Sequence, residues 1–216
     1  MKLASPLPAG CEYLADIVAE IGPKHGISPY LLLGICYAES AFGSALKPKG
    51  PTGSGDFIPR PSTPERDAKM AASPLPGVEK KEVDGIKSRN ITGKVMAWVP
   101  THTGWGVGLM QFDYESHFDF CKSGAWKEPA KIMEQACKLL TGNKAYIAKK
   151  HPELDQYALM QATVASYNAG AGRVCKFLEQ KKSLDEATFH PGYVKKICDK
   201  ADQLAGASGA YLMTAV

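Results

Sequence analysis

No run in this chain approaches the roughly 18 consecutive apolar residues that a membrane-crossing helix needs, so no membrane span is expected. Met1 to Gly10 carries one lysine and two prolines but lacks the apolar core of a secretory leader. Leu7-Pro8-Ala9-Gly10-Cys11 has the outline of a lipidation box without that core, and is discounted for that reason. Cys-x-x-Cys is absent, and no histidine pair has zinc-finger spacing, so no metal site is expected. There is no internal repeat and no low-complexity tract. Charge of either sign is not in large excess: 26 Lys and Arg against 22 Asp and Glu leave a net +4. That suits an anionic polymer, a cell wall or a nucleic acid, without selecting one. The lysine pairs (Lys80-Lys81, Lys149-Lys150, Lys181-Lys182, Lys195-Lys196) are scattered and lack interleaved aromatics. They read as solvated faces, and no nucleic-acid partner is expected.

What the chain does have is an ordinary globular balance, 44% hydrophobic and 22% charged over 216 residues, enough for one sizeable core. Cys11, Leu14, Ile17, Val18 and Ile21 recur at helical spacing until Gly22-Pro23. Ser28-Pro29 is a helix start, followed by an almost wholly apolar run from Tyr30 to Ala38 that predicts a central buried helix. Residues 47–104 are rich in Pro, Gly, Ser and charge; they predict a long irregular insertion with a small hairpin near Val83 to Val99. Helical patterning returns at Glu128-Pro129 and runs to Leu140, where Thr141-Gly142 should end it before a short helix over Lys144 to Lys149. Further helices are predicted around Tyr157 to Val164, from Val174, and from Tyr193 to Leu204. The expectation is one domain over 1–206, interrupted by the 47–104 insertion, and a flexible tail over 207–216. The six cysteines, at 11, 36, 121, 137, 175 and 198, fall mostly at apolar helical positions and read as buried thiols. Their even number leaves disulfides open if the protein works outside the cell.

Three stretches carry chemistry. Glu39 closes the apolar helical run. Burial and the negative end of a helix both disfavour its charged form, which suits a general acid near neutral pH. A helix-end Glu also commonly turns to solvent, and the pattern alone does not separate the two. Next, Gly104-Trp105-Gly106-Val107-Gly108-Leu109-Met110-Gln111-Phe112-Asp113 alternates glycine with larger residues, then places an acid on a polar loop where it stays ionised. One acid kept neutral and one kept charged is the division of labour in glycoside hydrolysis. A tight turn with an incidental acid fits the same letters. Third, Tyr167-Asn168-Ala169-Gly170-Ala171-Gly172 offers a ring to stack on a sugar and an amide to bond hydroxyls, or simply a helix end.

Glu39-Ser40, then Gly108-Leu109-Met110-Gln111, then Tyr167-Asn168-Ala169-Gly170, in that order, resemble the lysozyme-like transglycosylase superfamily, and more closely its goose-type lysozymes. Ser116-His117 and Tyr193 before a helix fit the same pattern. The resemblance covers about residues 10–205 and implies a mainly helical α+β lysozyme fold, without metal or cofactor. It maps the catalytic Glu onto Glu39 and the water-positioning Asp onto Asp113. It maps substrate contacts onto Gln111, His117, Tyr167, Asn168 and Tyr193. The implied reaction is cleavage of the β-1,4 bond between N-acetylmuramic acid and N-acetylglucosamine in peptidoglycan, with inversion and by a monomer. The chain departs from the goose-type pattern at Thr101-His102-Thr103, where another Asp is often found; Asp56 or Asp84 of the insertion are the candidates to replace it. If Glu39 acts alone, the product is the 1,6-anhydro sugar of lytic transglycosylases. A glycan-binding domain without catalysis is the remaining alternative. The implied place of action is the cell wall, periplasmic or extracellular, reached as a phage endolysin through a separate pore or as a secreted protein whose leader has been removed.

Overall fold

The structure is a computed structural model that describes residues 1–212. The chain forms two compact units, Met1–Phe42 with Pro129–Val216, and Gly43–Glu128. Helices dominate and small antiparallel sheets complete a mainly helical α+β fold.

The first unit opens with α1 (Tyr13–Lys24) and α2 (Pro29–Ser40). Helix α1 buries Leu14, Val18 and Ile21 as its periodicity predicts, and runs through the expected stop at Gly22-Pro23 to end one residue later, at Lys24. In α2 the apolar run surrounds the whole helix, and Leu31, Leu32, Leu33, Ile35 and Cys36 are fully buried. Each such Leu or Ile contributes about 1.5–3 kcal/mol relative to an exposed one. Ser28 precedes the helix as predicted but does not cap it with its side chain; its hydroxyl donates to the Ala210 carbonyl at 2.6 Å.

The second unit holds β1 (Ser54–Gly55), β2 (Arg60–Pro61), α3 (Pro64–Ala72), β3 (Val78–Ile86), β4 (Ile91–Pro100), β5 (Gly106–Val107), β6 (Phe112–Asp113) and α4 (Phe118–Ser123). The strands form two antiparallel sheets among the described residues, ordered β1-β5-β6 and β2-β4-β3. The predicted hairpin is β3–β4, which begins five residues earlier than expected, at Val78, and places Val83 opposite Val95. Helix α3 is an element that the reading of 47–104 as irregular missed. Thr63 caps it by accepting from the Arg66 amide at 3.2 Å, and Pro64 supplies the first helical residue.

The chain then returns to the first unit with α5 (Pro129–Lys150), α6 (Gln156–Ala169), α7 (Ala171–Glu179), α8 (Leu184–Ala187) and α9 (Tyr193–Ala205). Helix α5 corrects the predicted break: it is continuous through Thr141-Gly142 because Ile147, fully buried, anchors the turn beyond. A mid-helix Gly costs about 1 kcal/mol, less than burying an Ile returns. In the unpatterned segment from 207, Ala210–Leu212 form a 3-10 turn with Ala210 and Tyr211 buried. The end of the tail expected to be flexible, 213–216, lies outside the described residues.

Helices α2 and α9 run antiparallel and touch closely at Gly34, where a Cβ would sit 2.7 Å from the Ile197 carbonyl oxygen. One turn further along each helix lie Glu39 and Tyr193. All six cysteines are free thiols, and all but Cys11 are buried. Among the described residues, no helix is long and apolar enough to cross a membrane.

Candidate active site

In the first unit the site is built around Glu39. The last turn of α2 carries it out of the apolar run, and α2 stops immediately afterwards because Ala41 and Phe42 turn left-handed, with φ of 47° and 57°. Tyr193, buried at the start of α9, donates its phenol to Glu39 Oε1 at 2.5 Å. Part of the Glu39 surface still meets solvent. Burial nevertheless pushes its carboxyl up to about 7; the Tyr193 hydrogen bond and the charge of Lys196 pull the other way and only partly offset it. The neutral and charged forms are therefore both populated near pH 7. Burial, and after it the charge of Glu39, hold the phenols of Tyr167 and Tyr193 well above their ordinary range, so both remain O–H groups. Asn168 follows Tyr167 near the end of α6, which Gly170 closes at φ 78°. Its Oδ1 accepts from the Phe189 amide at 2.7 Å.

In the second unit the glycine-rich stretch forms β5, the turn after it and β6. A Cβ at Gly104 would overlap the Gly55 carbonyl, and one at Gly106 would lie 2.5 Å from Gln111 Oε1. Alternating glycine thus lets β1 and the Gln111 side chain approach the loop backbone. Leu109 and Met110 are fully buried, as their pattern predicts. Gln111 takes a left-handed φ of 49°, and its Nε2 donates to the Gly108 carbonyl at 2.8 Å, so the amide closes the loop that carries it.

Asp113 is held on both oxygens. Oδ1 accepts from the Glu115 and Ser116 amides, each at 3.0 Å, and Oδ2 takes the Arg60 guanidinium. Arg60 is buried under the sheet edge, with its guanidinium 4.4 Å over the Trp105 ring. It also donates to Asp56 at 2.8 Å and to Glu115 at 3.0 Å. Burial opposes ionisation of Asp113, but hydrogen bonding and attraction to Arg60 outweigh it, and its carboxyl titrates below the usual range. His117 leads into α4 with its ring edge-on to Phe112, centroids 4.8 Å apart. Burial lowers its basicity further than Asp113 restores it, so the imidazole is neutral at pH 7.

The structure thus brings Glu39, Tyr167 and Tyr193 together in one unit, with Asn168 beside them in sequence. In the other it gathers Gln111, Asp113 and His117. Asp56, one of the two candidates from the insertion, shares Arg60 with Asp113. Asp84, the other, is exposed on β3 opposite Lys94. Arg60 is the residue that sequence reasoning missed. Its partners Asp113 and Glu115 lie 53 and 55 positions away, and an Arg flanked by prolines in an irregular segment gives no local sign of burial. Among the described residues no three His, Cys, Asp or Glu side chains converge as metal ligands would.

Over 125 residues the chain is 30% identical to a protein described as lysozyme g from Struthio camelus. The similarity supports a lysozyme-like family. It spans 57% of this chain and 57% of the length of that relative. No family model matches the chain. The mainly helical α+β architecture is consistent with a lysozyme-like fold.

Proposed function

We propose that this protein is a peptidoglycan-cleaving muramidase in which Glu39 protonates the glycosidic oxygen. The observation that carries the reading is the Glu39 carboxyl: reachable from solvent, bonded by Tyr193, and raised by burial to about 7. Such a group holds its proton at neutral pH yet releases it to a leaving oxygen, as a general acid must. Asp113, ionised and with capacity for a further bond on Oδ2, is suited to orient the attacking water for inverting hydrolysis. The distant similarity to a lysozyme g supports the substrate class. Such an enzyme acts in the periplasm or outside the cell, as a monomer and without a cofactor. The substrate contacts in this reading are Gln111, His117, Tyr167, Asn168 and Tyr193.

A second reading is favoured by one feature. Asp113 is already engaged by two amides and Arg60, which suits a structural anchor as well as a water holder. With Glu39 acting alone, its carboxyl gives its proton to the leaving oxygen as that bond breaks, the resulting carboxylate takes the proton of the substrate's 6-hydroxyl as that oxygen bonds to the anomeric carbon, and a 1,6-anhydro sugar results. Clearing of cell-wall suspensions tests the shared step: Glu39→Gln should lower the rate by about 10²–10⁴-fold, the usual contribution of a general acid. Equal clearing by variant and wild type would rule out both readings. Mass spectrometry of the released muropeptides separates them, since anhydro ends are lighter than hydrolysed ends by one water.

A further inference from the structure

The loop between α8 and α9 presents an aromatic ring that the core does not use. Phe189 is 65% exposed, more than any other large apolar side chain among the described residues that is notably exposed. Leaving a phenyl ring in water is unfavourable in proportion to its area, and an idle exposed ring would ordinarily sit on a loose loop. This one is held from three sides. Its amide donates to Asn168 Oδ1 at 2.7 Å. Its ring lies 4.9 Å from the Arg173 guanidinium, which also faces Phe177 at 5.2 Å and is fixed by donation from Nε to the Ala187 carbonyl at 2.6 Å. The Thr188 hydroxyl lies within reach of the Asp185 carbonyl at 2.8 Å, tying the loop to α8. Arg173 is exposed, and its terminal amino groups donate to no acceptor among the described residues. Four residues after Phe189 comes Tyr193, the donor to Glu39. Chain reach therefore keeps the Phe189 Cα within about 14 Å of that tyrosine's Cα.

From this arrangement we propose that Phe189 and Arg173 form a subsite for a peptide-bearing amino sugar of the glycan strand. The proposal rests on the peptidoglycan reading above. The apolar face of the sugar packs on the Phe189 ring, as pyranoses pack on aromatic faces. The guanidinium of Arg173 takes a carboxylate of the attached stem peptide through its paired N–H groups. Because ring and guanidinium are already immobilised by each other and by Asn168, little ordering entropy opposes binding. Asn168 is then a positioning residue for the platform through Oδ1, besides any contact its amide nitrogen makes.

The test uses the full chain carrying Glu39→Gln, so that ligands are bound and not cleaved. Two probes are titrated by calorimetry: an N-acetylglucosamine tetramer, which has no carboxylate, and a purified muropeptide tetrasaccharide. Phe189→Ala in this background should weaken both by about tenfold, and Phe189→Tyr, which keeps the ring, should restore both. Arg173→Gln should weaken the muropeptide more than the tetramer, which loses only the guanidinium's support of the ring; equal loss for both probes would overturn the carboxylate contact. Unchanged binding of both probes by Phe189→Ala, with the parent binding normally, overturns the subsite and leaves the function standing. A parent that binds neither probe overturns the function and the subsite together.

Discussion

Glu39 is subject to two opposed effects, and their balance sets the pH at which it works. Burial raises its carboxyl to about 7, while the Tyr193 phenol stabilises the charged form. Removing that donor takes away a lowering influence, so Tyr193→Phe should move the alkaline limb of kcat/KM to higher pH. A merely structural tyrosine would lower activity at all pH values without moving the limb, and that outcome, read from a pH profile, would refute the assignment. Arg60 acts in the opposite sense on the other acid. It keeps Asp113 ionised against burial. With Asp113 needed in its charged form, Arg60→Met should shift the acid limb upward, and Arg60→Lys, which keeps the charge but loses the fork, should shift it less. An acid limb that stays in place in both variants would favour the reading in which Glu39 acts without Asp113. These two residues also mark how much of the site was legible in the letters. Glu39 and Asp113 stand out as candidates because each ends a local pattern, an apolar helical run and a glycine alternation, but it is the resemblance to lysozymes that gives them roles. Arg60 does not stand out, because its burial depends on Trp105, Asp113 and Glu115, all more than forty positions away.

At the scale of elements, the pairing of Glu39 with Tyr193 depends on how closely α2 and α9 approach. Gly34 sets that distance, since a methyl group there would stand 2.7 Å from the Ile197 carbonyl and 3.2 Å from its Cγ2. Backbone cannot yield as a side-chain tip can, so the helices must separate. Gly34→Ala should cost about 1–3 kcal/mol in urea unfolding, the usual penalty for overpacking, despite Ala being the better helix former. It should also lower activity by loosening the Tyr193 contact; unchanged stability would show that the crossing is not tight. The end of α2 has a related feature: Ala41 at φ 47° occupies a conformation that costs an L-residue roughly 1–2 kcal/mol. Ala41→Gly should therefore raise the unfolding midpoint, and a lower midpoint would mean that the alanine methyl contributes packing that outweighs its strain. Element identity was legible wherever the determinants are local. The Ser28-Pro29 start and the apolar run located α2, and the hairpin at Val83 to Val99 was visible as β-branched residues among turns. The continuity of α5 through Gly142 was not, because the buried Ile147 that carries the helix onward is a tertiary fact. Nor was α3, whose Pro-Ser-Thr-Pro approach looks like a loop although it is a capped helix start.

For the molecule as a whole, the same ionisations predict how stability follows pH. Glu39 has a folded pKa raised above its ordinary value of 4.5 to about 7, so the folded state binds this proton more tightly than the unfolded chain does. Its effect is absent below about 4.5, grows as pH rises, and is complete above 7, where it destabilises by up to roughly 3 kcal/mol. Asp113 and Asp67 have the opposite sign. Arg60 holds the first low against burial, while Lys80, Ser62 and Trp98 hold the second at about 2. Their stabilisation is full above the ordinary Asp value of 3.8 and is lost as pH falls below it, that of Asp67 as pH falls toward about 2. The two effects leave a stability maximum between the ordinary Asp value and the pH at which Glu39 is half charged, and the lowered basicity of buried His117 draws that maximum upward. Calorimetric midpoints across pH 2–8 should rise to that maximum and then decline. In Glu39→Gln the alkaline decline attributable to this group should vanish while the acid arm remains, so the variant gains on wild type as pH increases. A variant whose midpoint follows wild type in parallel from pH 4.5 to 8 would mean that Glu39 titrates normally in the folded protein, and would remove the observation on which the general-acid reading stands.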